Sequence, residues 1–410
     1  MTRLAVGEQK SFVFLYFLAN LGLFIAFVPV LTLLLPEQVA RLAPGDEIAA
    51  ISWLLLMGAI VASAANIIAG LCSDHSLKHF GSRYPVATAG LIATLGSYVL
   101  LSLAANLLQL ALALALFQTA LNFLFSPLAA LLADQIPDHV KGKVSGIVAL
   151  CLPAASLTLS LLVLVPGDTQ SHRYLVLGLI VALLVTPLLV SGRNPGNSPV
   201  KQPDEAEHKT GTHFSSRDFL LSWTARLLVQ IAGATMFGYS YFYIASLLLN
   251  TAAATPAEIR LSVSLFALGA SICSIGAGLA AGILSDRTGR RLPFLIGAAA
   301  LLGISTLTLA LTANWWLALV AYSLFSIGLT GFLTVETAMV AQIVGKHPRP
   351  ATALGIMNLT NTLPAALAPA ISLILAKSAP ASNAISWLLA LSAMGAAVAM
   401  VIISKIRSVR

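Results

Sequence analysis

The chain has 410 residues, 58% of them hydrophobic and only 9% charged, with a mean hydropathy of +0.91 and a net charge of +8. A soluble domain is about one quarter charged, so this composition leaves too little polar surface to face water and excludes an ordinary soluble protein. A lipid bilayer is the solvent that suits it.

In chain order, uncharged runs cover 11–36, 48–73, 86–133, 144–167, 174–192, 261–285, 292–335, 350–376 and 378–404. A helix needs about 20 apolar residues to cross about 30 Å of hydrocarbon. Most runs allow one crossing. The runs 86–133 and 292–335 allow two each, with Asn106 and Asn314 as hairpin tips. The segment 219–249, interrupted by Arg226, completes twelve helices. Nothing alternates in polarity as barrel strands do. The first run is too long for a signal-peptide core and is read as a retained helix.

The longest polar stretch, 193–217, is rich in Pro, Gly, Ser and charge and reads as a cytoplasmic linker. It separates residues 1–192 from 218–410, six helices each, which predicts an all-α membrane protein of two pseudo-symmetric six-helix bundles. With both ends inside, eighteen of the 23 Lys and Arg fall on the cytoplasmic side; Arg41, Arg173, Arg260 and Lys377 fall outside, and Arg226 lies within the membrane. This positive-inside pattern fixes orientation and helix count together. It also explains the basic charge without nucleic acid.

The two halves echo each other. Gly70-Leu-Cys-Ser-Asp74, then Gly81, Arg83 and Pro85, follows the second helix; Gly282-Ile-Leu-Ser-Asp286, then Gly289, Arg290, Arg291 and Pro293, follows the eighth. Leu152-Pro-Ala-Ala155 recurs as Leu363-Pro-Ala-Ala366. Repeated six-helix halves are a transporter signature, with the solute near the midplane.

The run Gly282 to Arg291 resembles the signature loop of the major facilitator superfamily. In the first half the loop is degenerate: His75 replaces the first arginine, four extra residues precede Gly81, and Ser82 replaces another arginine. Leu35-Pro-Glu-Gln-Val39, Asp134-Gln-Ile-Pro137 before Lys141-Gly142, and Asn358-Leu-Thr-Asn-Thr-Leu-Pro364 resemble the sucrose and glycoside–cation symporter branch. The resemblance implies a rocking transporter whose central cavity is lined by the first, fourth, seventh and tenth helices. It also implies gating roles at the cytoplasmic ends for Asp74, Arg83, Asp134, Asp286, Arg287, Arg290 and Arg291. As plain chemistry, the carboxylates among them read equally as capping groups.

Ionisable groups inside a bilayer mark function by default. Arg226 and Glu336 lie at similar depth in the seventh and tenth helices, about 12 and 14 Å from the cytoplasmic ends at 1.5 Å per residue. Three readings stand: a pair that forms and breaks to carry a proton, an Arg226 that holds an anionic or hydroxyl-rich substrate through its fork of donors, or a static ion pair. Gln118 and Asn122, four apart in the fourth helix, and Gln230, one turn beyond Arg226, are the preferred polar lining. Tyr239 and Tyr243 share a helical face that suits either a sugar or the outer interface.

The chain carries no nucleotide-binding loop, catalytic nucleophile arrangement or zinc motif. No catalytic residue, metal ligand or cofactor is expected, and the three cysteines read as packing residues. The function expected is proton-coupled uptake of a small hydroxylated solute, sugar-like, by a monomer in a bacterial inner membrane with both termini cytoplasmic. The first helix has no carboxylate between Lys10 and Glu37, which keeps a proton-driven exporter of drug-like or siderophore-like compounds open. A non-transporting sensor of the same fold is the alternative of another class.

Overall fold

A computed structural model describes residues 6–136, 138–163, 169–191, 216–249, 254–344, 350–378 and 381–406. The side chains of a few further residues, Asp286 among them, lie outside the description. Among the described residues, twelve helices are long and apolar enough to cross a membrane. They are α1 (Ser11–Leu42), α2 (Glu47–Phe80), α3 (Tyr84–Leu103), α4 (Leu107–Gln135) and α5, which runs in three pieces over Asp138–Ala149, Cys151–Ser156 and Thr158–Val163. Then follow α6 (Gln170–Ser191), α7 (Ser216–Leu249), α8 (Pro256–Thr288), α9 (Leu292–Leu311), α10 (Trp315–Val344), α11 (Pro350–Ser378) and α12 (Ala381–Ile403).

The helix ends follow from local chemistry. Asn106 caps α4 by accepting from the Gln109 amide at 2.9 Å, and Asn314 caps α10 by accepting from the Leu317 amide at 3.0 Å. Each satisfies one of the orphan amides of a first turn. Both are the hairpin tips read from the sequence. Thr255 and Glu258 form a reciprocal capping box at the start of α8. Gly81 and Gly289 adopt φ of +66° and +62°, left-handed conformations that only glycine takes without strain.

Two elements differ from the sequence reading. The first uncharged run ends at residue 36; the helix continues past it to Leu42 through a π turn at Val30–Leu34. Pro29, just before that turn, has no N–H to return to the preceding turn. The register absorbs the loss by a wider turn, and Thr32 Oγ1 donates to the Val28 carbonyl at 2.7 Å. The seventh helix begins at Ser216, so Ser216 and Arg217 belong to it rather than to the linker; the rest of the expected linker lies outside the described residues.

The chain divides into two compact units, Met1–Leu42 with Met57–Ala206, and Ala43–Leu56 with Glu207–Arg410. The first residues of α2 therefore group with the second unit, where Ser52 Oγ meets Tyr239 Oη at 2.6 Å and Ser372 Oγ at 3.0 Å. Within the first unit α3 packs on α4 and α6, and α1 on α5 and α6. Within the second, α9 packs on α10 and α12, and α7 on α11 and α12. The same four pairings recur, so the sequence repeat is in part a packing repeat.

Close approach decides which glycines are essential. A Cβ on Gly90 of α3 would stand 2.5 Å from the Leu124 amide nitrogen of α4. One on Gly328 of α10 would stand 2.9 Å from the Ala298 carbonyl oxygen of α9.

Candidate functional site

The second unit holds a polar cluster built by α7, α10 and α11. Ser222, Arg226 and Gln230 recur every four residues on α7, so they share one face. Glu336 of α10 is only 1% exposed. Arg226 Nη1 donates to Glu336 Oε2 at 2.5 Å, and Ser222 Oγ donates to Oε1 at 3.2 Å. Arg226 Nη2 donates to Asn361 Oδ1 of α11 at 3.0 Å, and Gln230 Nε2 donates to the same oxygen at 2.9 Å. Asn361 Nδ2 in turn donates to Asn358 Oδ1 at 2.9 Å. The cluster is a chain of donors and acceptors that begins at a buried carboxylate and ends on neutral amides.

Arg226 thus shares its guanidinium between a carboxylate and an amide. Its Nε is buried with no hydrogen-bond partner among the described residues. An orphaned buried donor is costly and calls for an explanation.

Among the described residues, the first unit brings amides together. Asn66 Nδ2 of α2 donates to Asn122 Oδ1 of α4 at 3.1 Å, and Asn122 Nδ2 donates to the Gln118 carbonyl at 2.8 Å. Gln118 is buried beside Gly58. The two tyrosines lie away from the Arg226 cluster. Tyr243 Oη donates to the Leu309 carbonyl at 2.9 Å, and Tyr239 is engaged by Ser52; both are buried, so their hydroxyls bond within the helix packing.

A model of the Major Facilitator Superfamily matches residues 12–252 and 227–409, nearly the whole chain. The chain belongs to the Major Facilitator Superfamily. Solved structures agree on the fold. A bacterial homolog of the human lysosomal transporter Spinster, inward-facing and occupied, is 12% identical with a TM-score of 0.64, covering 97% of this chain and 94% of that one. A mutant of the peptide transporter POT in complex with sulfate is 13% identical with a TM-score of 0.69, covering 96% and 94%. A search of curated protein sequences returns no match. Family membership and these neighbours make the chain a transporter rather than an enzyme. The match reaches the superfamily; the narrower glycoside branch rests on the sequence motifs alone.

In superfamily terms, the two signature loops follow α2 and α8. The first is degenerate in sequence yet fully bonded. Arg83 Nε donates to Asp134 Oδ2 at 2.6 Å, and Nη1 donates to Asp74 Oδ1 at 2.6 Å and Ser73 Oγ at 3.0 Å. Burial disfavours the charge on Arg83, but the bonds to Asp134 and Asp74 more than offset it and raise its pKa above the ordinary arginine value. One arginine ties the adjoining ends of α2, α3 and α4 together. In the second loop Arg291 Nη1 donates to the Ala338 carbonyl of α10, while Arg287 and Arg290 are exposed. The Asp286 side chain lies outside the described residues.

Sequence reasoning missed a second ion pair. Arg173 of α6, expected outside, is 2% exposed and donates from Nη1 to Glu37 Oε2 of α1 at 3.0 Å. Around it Gln38 Nε2 donates to the Leu101 carbonyl at 2.6 Å, and Gln170 Nε2 donates to the Leu34 carbonyl at 3.4 Å. Leu34 ends the π turn, so α6 supplies a donor where the helix changes register. The available signal was the density of Glu37, Gln38, Gln170 and Arg173 around two apolar runs. Ser222 and the coupling of Asn361 to Arg226 were also missed, since small polar residues are common in membrane helices.

Proposed function

We propose that the chain takes up a small, neutral, hydroxylated solute together with a proton, by alternating access, and that Glu336 carries the proton. The carrying observation is the sharing of Arg226 between Glu336 and Asn361. Protonation of Glu336 removes the negative charge that holds Nη1. Arg226 keeps a neutral partner in Asn361, so losing the ion pair does not strand the cation. The Nε donor is then a reserve bond for a solute hydroxyl or for a re-formed bidentate pair. Beside Arg226, Gln230 and Asn358 supply amide donors and acceptors of the kind that hydroxyl groups match. In this reading Asp74, Arg83 and Asp134 close the cytoplasmic end, and the second loop does the same through Arg291, with Asp286, Arg287 and Arg290.

The energy source, the solute and the direction are tested together in proteoliposomes that enclose a pH dye. A panel of mono- and disaccharides is added outside. The expected result is solute-dependent acidification of the lumen by the wild type and none by Glu336→Gln, which still exchanges labelled for unlabelled solute. Concentrative uptake by Glu336→Gln would remove the carrier role.

Export of an amphipathic compound is the second reading. It is favoured by α1, whose residues 11–36 carry no carboxylate. A proton flux evoked by such a compound, and by no sugar, would select it.

A further inference from the structure

Along the first half of α7 the buried positions are Asp218, Ser222, Ala225, Val229 and Ala232, spaced four or three apart, so they form one stripe. Only the first two are polar. Ser222 donates to Glu336 Oε1 and is buried; Asp218, one turn nearer the start of the helix, is only 3% exposed. A carboxyl group within an apolar helix is costly and marks function by default, and chains of such groups serve as proton relays. No step of the proposed transport uses Asp218. α7 packs on α8, α10, α11 and α12. Of these, α12 carries no Asp, Glu, Lys, Arg or His, α11 carries only Lys377 at its far end, and α10 only Glu336. α8 has Glu258 and Arg260 near its start and Asp286 and Arg287 in its last turn.

On the reading that Glu336 carries the proton, on which this step rests, we propose that Asp218 is the station through which Glu336 exchanges that proton with water at the start of α7, with Ser222 as the link. A hydroxyl donates one proton and accepts at two lone pairs, so the oxygen that donates to ionised Glu336 can accept from the protonated acid. Residues at i and i+4 share a helical face, and a carboxylate and a hydroxyl one turn apart bond directly or through one water. In the transfer the Glu336 O–H bond breaks as its proton goes to Ser222 Oγ, and the hydroxyl proton of Ser222 passes to the Asp218 carboxylate. Ser222 ends as it began, Glu336 is again a carboxylate beside Arg226, and Asp218 holds the proton. Asp218 is the third residue of α7, directly after the exposed Ser216 and Arg217, so it hands the proton on to water. In the orientation read from the basic residues this end faces the cytoplasm, where uptake has to release its proton. In the other direction the stripe continues as Ala225, Val229 and Ala232, which offer no hydroxyl or carboxyl.

The test is a rapid drop in pH applied to the purified chain in detergent, followed by the infrared C=O stretch of protonated carboxyl groups. The Glu336 signal is the part lost in Glu336→Gln, and each variant is read against its own double with Glu336→Gln. Asp218→Asn should slow the rise of that signal about 10²-fold, the scale of a lost proton-transfer group, with its final size kept. Asp218→Glu should restore the rate, and Ser222→Ala should slow it as well. Elution as a single species checks that each variant is folded. A Glu336 signal that rises equally fast in Asp218→Asn would overturn the relay and leave Glu336 as the carrier. Asp218→Glu as slow as Asp218→Asn would also overturn it, since Asp218 would then only shape the helix end. No Glu336 signal at any pH would remove the carrier and the relay together. None of these outcomes depends on knowing the solute.

Discussion

At the residue scale, the Arg226–Glu336 pair sets the strongest constraint. Two charges taken out of water are tolerable together and very costly apart. Arg226→Gln leaves Glu336, 1% exposed, without its cation and should cost about 3–5 kcal/mol, or trap the carboxyl in its protonated form. The double variant Arg226→Gln, Glu336→Gln should recover most of that loss. Thermal unfolding of the three proteins in detergent reads both effects; an additive double variant would mean that the pair is not coupled. At the turn between α2 and α3, the partners of Arg83 differ in exposure, 22% for Asp134 and 62% for Asp74. Water screens the more exposed partner, and such pairs contribute about 1 kcal/mol or less. Asp134→Asn should therefore loosen the turn more than Asp74→Asn, measured as faster amide exchange over residues 73–84.

At the element scale, helix contact is governed by small residues, because lipid offers no hydrophobic drive between helices. Gly90 and Gly96 lie on the same helix and make a controlled comparison. A Cβ at Gly90 would press into the α4 backbone, whereas nothing lies within 4 Å of one at Gly96. Gly90→Ala should destabilise by about 1–3 kcal/mol, since backbone cannot move aside as a side chain does. Gly96→Ala should be neutral or gain up to about 1 kcal/mol through helix propensity. Equal melting temperatures for the two variants would contradict the close approach. The prolines behave unequally for a related reason. Pro153 falls in a short piece of α5, between interruptions at Leu150 and Leu157, while α11 continues unbroken through Pro364 and Pro369.

At the scale of the whole molecule, four helix pairings recur between the units, and the units differ in chemistry. The packing repeat is partial, since α8 lies closely along α10 with no comparable approach of α2 to α4. Among the described residues, the second unit pairs Arg226 with Glu336, and the first links the amides of Asn66 and Asn122. The orientation predicted from the basic residues is open to a direct check. In a chain lacking Cys72, Cys151 and Cys273, a cysteine at Arg290 should react with an impermeant maleimide only from the cytoplasmic side, and one at Ala313 only from outside. The opposite pattern would invert the topology.

Composition and the spacing of charges were sufficient for the twelve helices, the repeat and the hairpin tips at Asn106 and Asn314. Each of these is a local property: a run must be apolar to cross lipid, and a cap acts within one turn. That Arg226 and Glu336 lie within helices long and apolar enough to cross a membrane was equally legible, because a charge is conspicuous against an apolar run. What those charges bond to was not legible. Asn361 and Ser222 enter the cluster, Glu37 finds Arg173, and Arg83 gathers Asp74 and Asp134 only because helices distant in sequence pack side by side. The donor that meets the end of the π turn of α1 likewise comes from α6. Hydrogen bonds between helices are set by rotation and register, which a one-dimensional pattern of polarity leaves free and tertiary packing decides.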